Sequence, residues 1–406
     1  MKILFLAFEL PYPLDRGGRV KSFHFLEALA RHHEVTLAAL SRSPLEGQYL
    51  NRFADWLESV HLVPVDLSLA RKVRLASRGL GRRKPFVVAL YDNREMHNLV
   101  SELLQVQEYD VIYADHLHMS QYVPESTSSF TVLDQHNVET TILHRFFKSR
   151  QPGPLKAFGW WEWRRMAAYE SAECCRFNMV LVTTLVDANL VRPWLQPGQQ
   201  LEVLPIGVDV SYFKPAPRSP RPHTLVSLGT LAWQPNADGV LWFCREVLPL
   251  VRAYIPGVTF QIIGDRPPPA IRKLGDDEAV ELLGRVDDVR PFLANSAGLV
   301  VPLRVGSGMR VKVLDALAMG APVVSTSVGC EGIAVTHRRD VLIADEPLDF
   351  ARAIVALVND GELQQRLSRN GRALVMERYS WPVIYDQIDE AFVDILERRR
   401  RIQKPC

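Results

Sequence analysis

Residues 304–333, RVGSGMRVKVLDALAMGAPVVSTSVGCEGI, constrain the fold more than any other stretch of the chain. Apolar Val300–Leu303 precedes it, Gly306 and Gly308 open the backbone, and Met309–Met319 carries helical periodicity. Gly320 and Pro322 then stop the helix ahead of Val323 and Val324. Strand, glycine loop, helix and buried strand in that order make a βαβ crossover, the unit of a doubly wound α/β domain. Glycines at a helix start admit a ligand close to backbone N–H groups, and the helix dipole favours negative charge there. Arg310 and Lys312 add two cations at the same spot, and Asp315, three residues past Lys312, lies on that lysine's helical face. Amides, two cations and one carboxylate suit a nucleoside diphosphate with its ribose. A surface Lys/Asp pair on an ordinary α/β domain is the plainer alternative.

The same signature recurs at the N-terminus. Lys2–Ala7 reads as a buried strand, followed by Glu9 to Arg19 with Gly17-Gly18, a helix over about 20–31 and a strand over 34–40. Further strands are predicted at 109–114, ending in Asp115-His116-Leu117-His118, and at 130–133, ending in Asp134-Gln135-His136-Asn137-Val138-Glu139. Doubly wound folds place ligands just past the C-terminal ends of such strands. A helix over 154–177 carries Trp160, Trp163 and Ala167 at helical spacing, which predicts a core-facing stripe. Strands at 178–184 and 201–204 precede Pro205-Ile206-Gly207-Val208-Asp209, and the proline-rich run 215–222 reads as a linker. A second series begins with a strand at 224–228, the loop Gly229–Asn236 and a helix over about 237–253, then strands at 258–263 and 280–284. Asp287-Asp288 reads more simply as a helix cap than as a metal site. Helices at about 347–358, 362–376 and 384–398 close the chain.

With 406 residues and 47% hydrophobic content the chain can bury two cores, and a formal net charge of +2 gives no reason to propose nucleic acid. Five cysteines without a Cys-x-x-Cys pair argue for a reducing compartment and against structural zinc. No stretch approaches a membrane span, so a cytoplasmic protein is expected. Arg71, Lys72, Arg74, Arg78, Arg82, Arg83 and Lys84 are interleaved with Val73, Leu75 and Leu80, a pattern that suits an anionic membrane surface or a solvated basic face.

LDALAMGAPVV resembles the C-terminal nucleotide-binding motif of GT-B glycosyltransferases, most closely the retaining family 4 (group 1 glycosyl transferases). Asp315 stands where that motif has its second glutamate and Ser307 where it has its first, while Gly308-Met309-Arg310-Val311-Lys312 looks like the family's Gly-x-Arg-x-Lys version of the loop. Ile206 replaces an asparagine, and the loop 229–236 lacks the arginine and lysine that usually clamp the donor diphosphate. Arg310 and Lys312 are inferred to take over that clamp.

The resemblance implies two doubly wound Rossmann-like domains facing a central cleft. Residues 1–207, completed by the C-terminal helix 379–406, would bind the acceptor, and 208–378 the nucleotide sugar. It implies transfer of a sugar to an acceptor hydroxyl with retention, in cell-surface polysaccharide or glycolipid assembly, with no metal and no cofactor beyond the nucleotide-diphosphate sugar. The residues it marks as catalytic are His116, His136, Arg310 and Lys312. Donor contacts fall on Gly17, Gly18, Gly229, Val286, Gly308, Met309, Asp315 and Glu331, and acceptor contacts on Arg19, His118 and Asn137. It further implies that Trp381 and Phe392 join the first domain's core, and it favours contact of 71–84 with the inner face of the plasma membrane as the alternative to an ordinary solvated basic face. A non-catalytic nucleotide-sugar-binding protein and a nucleotide-sugar 2-epimerase are the alternatives.

Overall fold

The computed structural model describes residues 1–77, 84–148, 153–216, 223–306 and 308–402. Arg78, Leu80, Arg82, Arg83, most of the proline-rich linker and Ser307 lie outside the described residues. The chain divides into two units, Met1–Ile206 with Tyr385–Cys406, and Gly207–Ile384.

Unit 1 is built on a parallel sheet of β1 (Lys2–Ala7), β2 (Glu34–Ser41), β3 (Ser59–Pro64), β4 (Val111–Asp115), β5 (Phe130–Gln135), β6 (Met179–Val182) and β7 (Gln200–Val203). Their spatial order is β3-β2-β1-β4-β5-β6-β7. Helices cover both faces of a sheet wound this way, so its inner strands read as continuous apolar runs; Ile3 to Ala7 are all fully buried. The chain order reverses direction between β1 and β4, and the loops after these two strands therefore diverge and leave a crevice at their C-terminal ends. The first helix, α1 (Gly17–His32), starts there. β3 escaped the sequence reading because SVHLVP is only partly buried at the sheet edge and carries no strong period.

Unit 2 repeats the plan with β8 (Thr224–Leu228), β9 (Thr259–Ile263), β10 (Val280–Gly284), β11 (Gly298–Val301), β12 (Val323–Ser325) and β13 (Leu342–Ile343), ordered β10-β9-β8-β11-β12-β13. Its reversal falls between β8 and β11. The helix expected over 237–253 is continuous in outline but contains a π-helical turn at Phe243–Val247, directly before Pro249. Proline supplies no N–H to the helical ladder, and a widened turn accommodates the gap. β13, two residues long, was also missed.

Two expectations are corrected by packing. Trp381 belongs to unit 2, not to the first unit's core. Its ring covers Gly207, where a Cβ would lie 2.5 Å from the indole, and the Trp381 backbone N–H donates to Val208 O at 3.3 Å. Residues 379–384 therefore stay with unit 2, and the boundary falls at Tyr385. Phe392 does pack in unit 1, 6.3 Å from the Tyr113 ring. The helix Pro154–Arg176 buries Gly159, Glu162, Met166 and Glu170, not the tryptophan stripe. Trp160 is 46% exposed beneath the Arg164 guanidinium, and Trp163 packs on His144 and Phe147 of the helix Glu139–Lys148.

Candidate functional site

In unit 2, the loops after β8 and β11 carry the predicted donor residues. Gly229 ends β8 with φ 144°, a conformation that favours glycine, and a Cβ there would sit 2.7 Å from the Asn236 amide nitrogen and 3.2 Å from Lys312 Nζ. The helix Val311–Ala318 starts just beyond Gly308 (φ 76°), and from its first turn Lys312 reaches back across the reversal point. The ammonium donates to Leu228 O at 2.6 Å and to Asn236 Oδ1 at 3.2 Å. The loop 229–236 has no cation of its own, and Lys312 places one there. Arg310 is buried, donates to Gly308 O at 2.8 Å and lies 5.8 Å from the Trp233 ring. Trp233 and Asn236 were not singled out in the sequence, and their place beside the cations is visible only in the fold.

Burial dominates the electrostatics of this cluster. Burial, helped by the Arg310 charge, pushes the Lys312 ammonium down to about 7. Burial alone pushes the Asp315 carboxyl up to about 8. Asp315 forms no side-chain hydrogen bond or ion pair with Lys312 despite their shared face, because Lys312 extends toward β8 instead. Met309 is buried in the same loop, Val286 is half-buried in the turn after β10, and Glu331 is half-buried at the end of the short turn Val328–Cys330. Asp288 accepts from the Arg290 backbone N–H at 2.9 Å just ahead of the helix Arg290–Asn295, but the residue at the cap itself is Val289, so the expected side-chain cap is replaced by a turn one residue earlier.

Unit 1 brings the predicted histidines together. Asp115 and Asp134 are register partners at the ends of β4 and β5, so both carboxylates point to the same face of the sheet. That face is covered by α1, and both side chains are almost fully buried. Two adjacent buried carboxylates require cations. Lys21 of α1, itself fully buried, pairs with Asp134 Oδ1, and the Tyr113 hydroxyl donates to Asp134 Oδ2 at 2.6 Å. Asp115 is held by Ser22 Oγ at 2.8 Å and by His136 Nε2 at 2.8 Å, and its second oxygen lies 3.2 Å from His116 Nδ1. The His116 and His136 rings face each other at 3.7 Å.

His116 is in a strained backbone conformation, φ 77° and ψ 148°, which is essentially glycine territory and costs on the order of 1–3 kcal/mol. The Asp134 carbonyl fixes it by accepting the His116 N–H at 2.9 Å. A Cβ on Gly18 would lie 3.7 Å from His116 Nε2 and 4.0 Å from His136 Nδ1, so both imidazoles look toward the start of α1. Burial and the Lys21 charge depress His136, but Asp115 and Asp134 together outweigh them and raise it. Burial and the His136 charge lower His116. His118 is buried between Phe8 and Tyr91 and pushed down to about 3, mainly by burial, so it is neutral. Asn137 is half-buried in the loop after β5.

Arg19, assigned to the acceptor, turns inward. It is buried against Glu9 at 3.1 Å, Glu46 at 2.9 Å and Asp15 at 3.4 Å, where three carboxylates hold the glycine loop in place. Asp115, His116 and His136 are, among the described residues, the set whose ligand atoms all lie within 4.8 Å. Within the set His116 Nδ1 and His136 Nε2 both face the Asp115 carboxylate, and Lys21 lies on the neighbouring Asp134. Asp115, Asp134, Lys21 and Ser22 went unassigned in the sequence, although an aspartate ending each of two buried apolar strands was a usable signal. Of the basic run, Arg71 donates to Asp92 O at 2.5 Å and Lys84 pairs with Asp92 at 2.8 Å, while Leu69 and Val73 are exposed beside Lys72 and Arg74. Among the described residues no helix is long and apolar enough to cross a membrane.

Residues 222–360 match the model of the family described as glycosyl transferases group 1. Over 404 residues the chain is 21% identical to an uncharacterized 44.6 kDa protein in the cps region of Klebsiella pneumoniae, covering 95% of this chain and 98% of that one. Over 214 residues it is 28% identical to a GDP-mannose-dependent alpha-(1-6)-phosphatidylinositol monomannoside mannosyltransferase of Mycobacterium tuberculosis, 46% of this chain and 54% of that one. The chain thus spans about half the length of this characterised relative. The sucrose-phosphate synthase structure from Thermosynechococcus elongatus superposes with a TM-score of 0.72 at 15% identity, over 98% of this chain and 100% of that one. At that identity the match concerns the fold, which is GT-B.

Proposed function

From the premise that residues 222–360 form a group 1 glycosyltransferase domain, we propose that the protein moves a sugar from a nucleotide-diphosphate sugar to an acceptor hydroxyl with retention, in polysaccharide or glycolipid assembly. The observation that carries this reading is Lys312, a half-buried lysine whose ammonium is held at the C-terminal end of β8 by Leu228 O, with Arg310 beside it and Gly229 admitting its close approach. The leaving group of such a transfer is a diphosphate whose charge grows as the glycosidic bond breaks. Two cations and the amides at a helix start stabilise that charge more in the transition state than in the bound donor, which is what accelerates the step. Asp315 holds the ribose diol, Val286 and Glu331 line the donor site, and His116 and His136 contact the sugar. The donor is the only co-substrate, and no step calls for a metal.

A melting-temperature screen against UDP, GDP, ADP and their sugars, with and without EDTA, tests the nucleotide, since a ligand that binds the folded state raises stability by mass action. Radiolabelled transfer to lipid and saccharide acceptors tests the chemistry. The double variant Arg310→Ala, Lys312→Ala is expected to lose both the shift and transfer, and transfer at the wild-type rate would refute the assignment. Exposed Leu69 and Val73 beside Lys72 and Arg74 support an anionic membrane as the place of work. Salt-dependent sedimentation with phosphatidylglycerol vesicles checks it.

A further inference from the structure

The buried cluster of unit 1 has a charge count that its geometry imposes. Lys21 contributes one positive charge, and Asp115 and Asp134 contribute two negative charges, all three at or below 1% exposure. One negative charge remains, and an uncompensated charge at that depth is far more costly than a captured proton. The groups able to take it are His136, His116, Tyr113 and the carboxylates themselves. Tyr113 donates its proton to Asp134. Burial would raise both carboxyls, but the facing imidazoles of His116 and His136 on Asp115, and Lys21 first on Asp134, hold both below the usual carboxylate range. His136 Nε2 is 2.8 Å from Asp115 and 3.6 Å from Asp134 and so faces both anions, whereas His116 faces only Asp115. Around His136 stand Lys21 and Ser22 from α1, Asp115 and His116 from the end of β4, Asp134 from β5, Glu139 from the helix that follows, and Thr183 past β6, whose hydroxyl donates to His136 O. Glu139 is pushed up to about 8 by burial and by Glu170, so it adds little charge at neutral pH.

We propose that Asp115 is a positioning residue that, by accepting from His136 Nε2, keeps His136 an imidazolium, whose charge together with burial leaves His116 a neutral imidazole beside Gly18. The pair then presents one fixed positive charge and one neutral hydrogen-bonding nitrogen toward the start of α1. The strained backbone of His116 serves the same end, because the Asp134 carbonyl that holds it belongs to the neighbouring strand. Lys21 sets the proton count: with it present the cluster needs one proton on the imidazoles.

The inference rests on the reading that His116 and His136 meet the sugar, but the charge state is measurable without turnover. Histidine ring 13C–1H resonances, assigned with His116→Gln and His136→Gln, are followed against pH in the intact protein. The expected result is a His136 midpoint above the ordinary 6.5, falling by at least about one unit in Asp115→Asn and rising in Lys21→Met, with His116 below 6.5 in the wild type. A His136 midpoint at or below 6.5 in the wild type, or one unmoved by both substitutions, overturns the proposal. Lys21→Met shifts in the opposite direction to Asp115→Asn, so general loosening of the site cannot imitate the pattern. In transfer assays Asp115→Asn is expected to lower kcat and move the alkaline loss of activity to lower pH, while KM for the donor, bound through unit 2, stays within about twofold. A fall in kcat with an unmoved pH profile also overturns it. Loss of transfer in every variant with the midpoints shifting as stated would instead fault the functional reading.

Discussion

If the nucleotide diphosphate sits on Lys312 as proposed, its binding is a proton-linked event. In the ligand-free protein its midpoint is about 7 and that of Asp315 about 8. A diphosphate seated on Lys312 restores its charge, and the protein takes up a proton in proportion to the neutral fraction: about 0.9 at pH 8, 0.5 at pH 7 and 0.1 at pH 6. If the ribose hydroxyls donate to Asp315 and favour its ionised form, that group releases about 0.5 proton at pH 8 and about 0.9 at pH 7. The wild type should therefore show a net uptake of about 0.4 proton at pH 8 and a net release of about 0.4 at pH 7. The count is read from calorimetric binding enthalpies in buffers of different ionisation enthalpy, whose slope is the proton number. Asp315→Asn isolates the uptake, which should return to about 0.9 at pH 8, and Lys312→Met isolates the release. An Asp315→Asn protein that binds the nucleotide at pH 8 with zero slope would mean that Lys312 does not meet the diphosphate.

The same shift has a stability counterpart. A lysine whose folded pKa is depressed binds fewer protons folded than unfolded, so its contribution to stability rises with pH between about 7 and the unfolded value of 10.5, and Lys312→Met should remove that rise in urea titrations. Glu170 acts in the opposite sense: fully buried, it is pushed up to about 7 by burial while accepting the N–H groups of Glu139 and Thr140 at 2.8 Å. Stability should fall by on the order of 2–3 kcal/mol as pH rises from about 4.5 through 7, and Glu170→Gln should flatten that limb. Lys21→Met leaves Asp134 buried without its cation and should cost about 3–5 kcal/mol, read from the urea midpoint. Gly18→Ala separates fold from function. A Cβ there meets only ordinary contacts at 3.7 and 4.0 Å, so stability should hold or gain about 0.5–1 kcal/mol, while transfer falls because the methyl fills the space faced by His116 and His136.

The second half of the chain was the more legible, and the reason is physical. Gly308, Arg310, Lys312 and Asp315 lie within eight residues, so one loop and one helical turn bring them together whatever the rest of the domain does. The site in unit 1 is assembled from α1, β4 and β5, and the bond between Lys21 and Asp134 spans 113 residues. Local pattern marks each strand end but not which ends are neighbours. The tryptophan helix failed for a related reason. Periodicity ranks residues by size and polarity, yet its buried stripe carries Glu162 and Glu170, which are buried because the backbone N–H groups of Phe86, Glu139 and Thr140 donate to them. A glutamate satisfied in this way is invisible to a hydropathy count.

Both units reverse strand order at the same point, between their first and fourth strands, and both must hold charge at that point. They do so in different ways. Unit 2 sends one long side chain across the reversal: Lys312 starts on the helix after β11 and ends on the carbonyl of β8, and among the described residues no carboxylate pairs with it. It is held there by a carbonyl, an amide and burial, which is why its proton is loosely kept and why an anion binding there should register as proton uptake. Unit 1 instead neutralises its crossing lysine with Asp134 and passes the remaining charge through Asp115 to the histidines. A lysine already paired in this way gains little from a further anion, so ligand-linked protonation should be confined to Lys312 and Asp315, and Lys21→Met should leave the proton number of nucleotide binding unchanged. A changed proton number in that variant would mean that the nucleotide senses the charge of unit 1, and that the separate accounting of the two clusters is wrong.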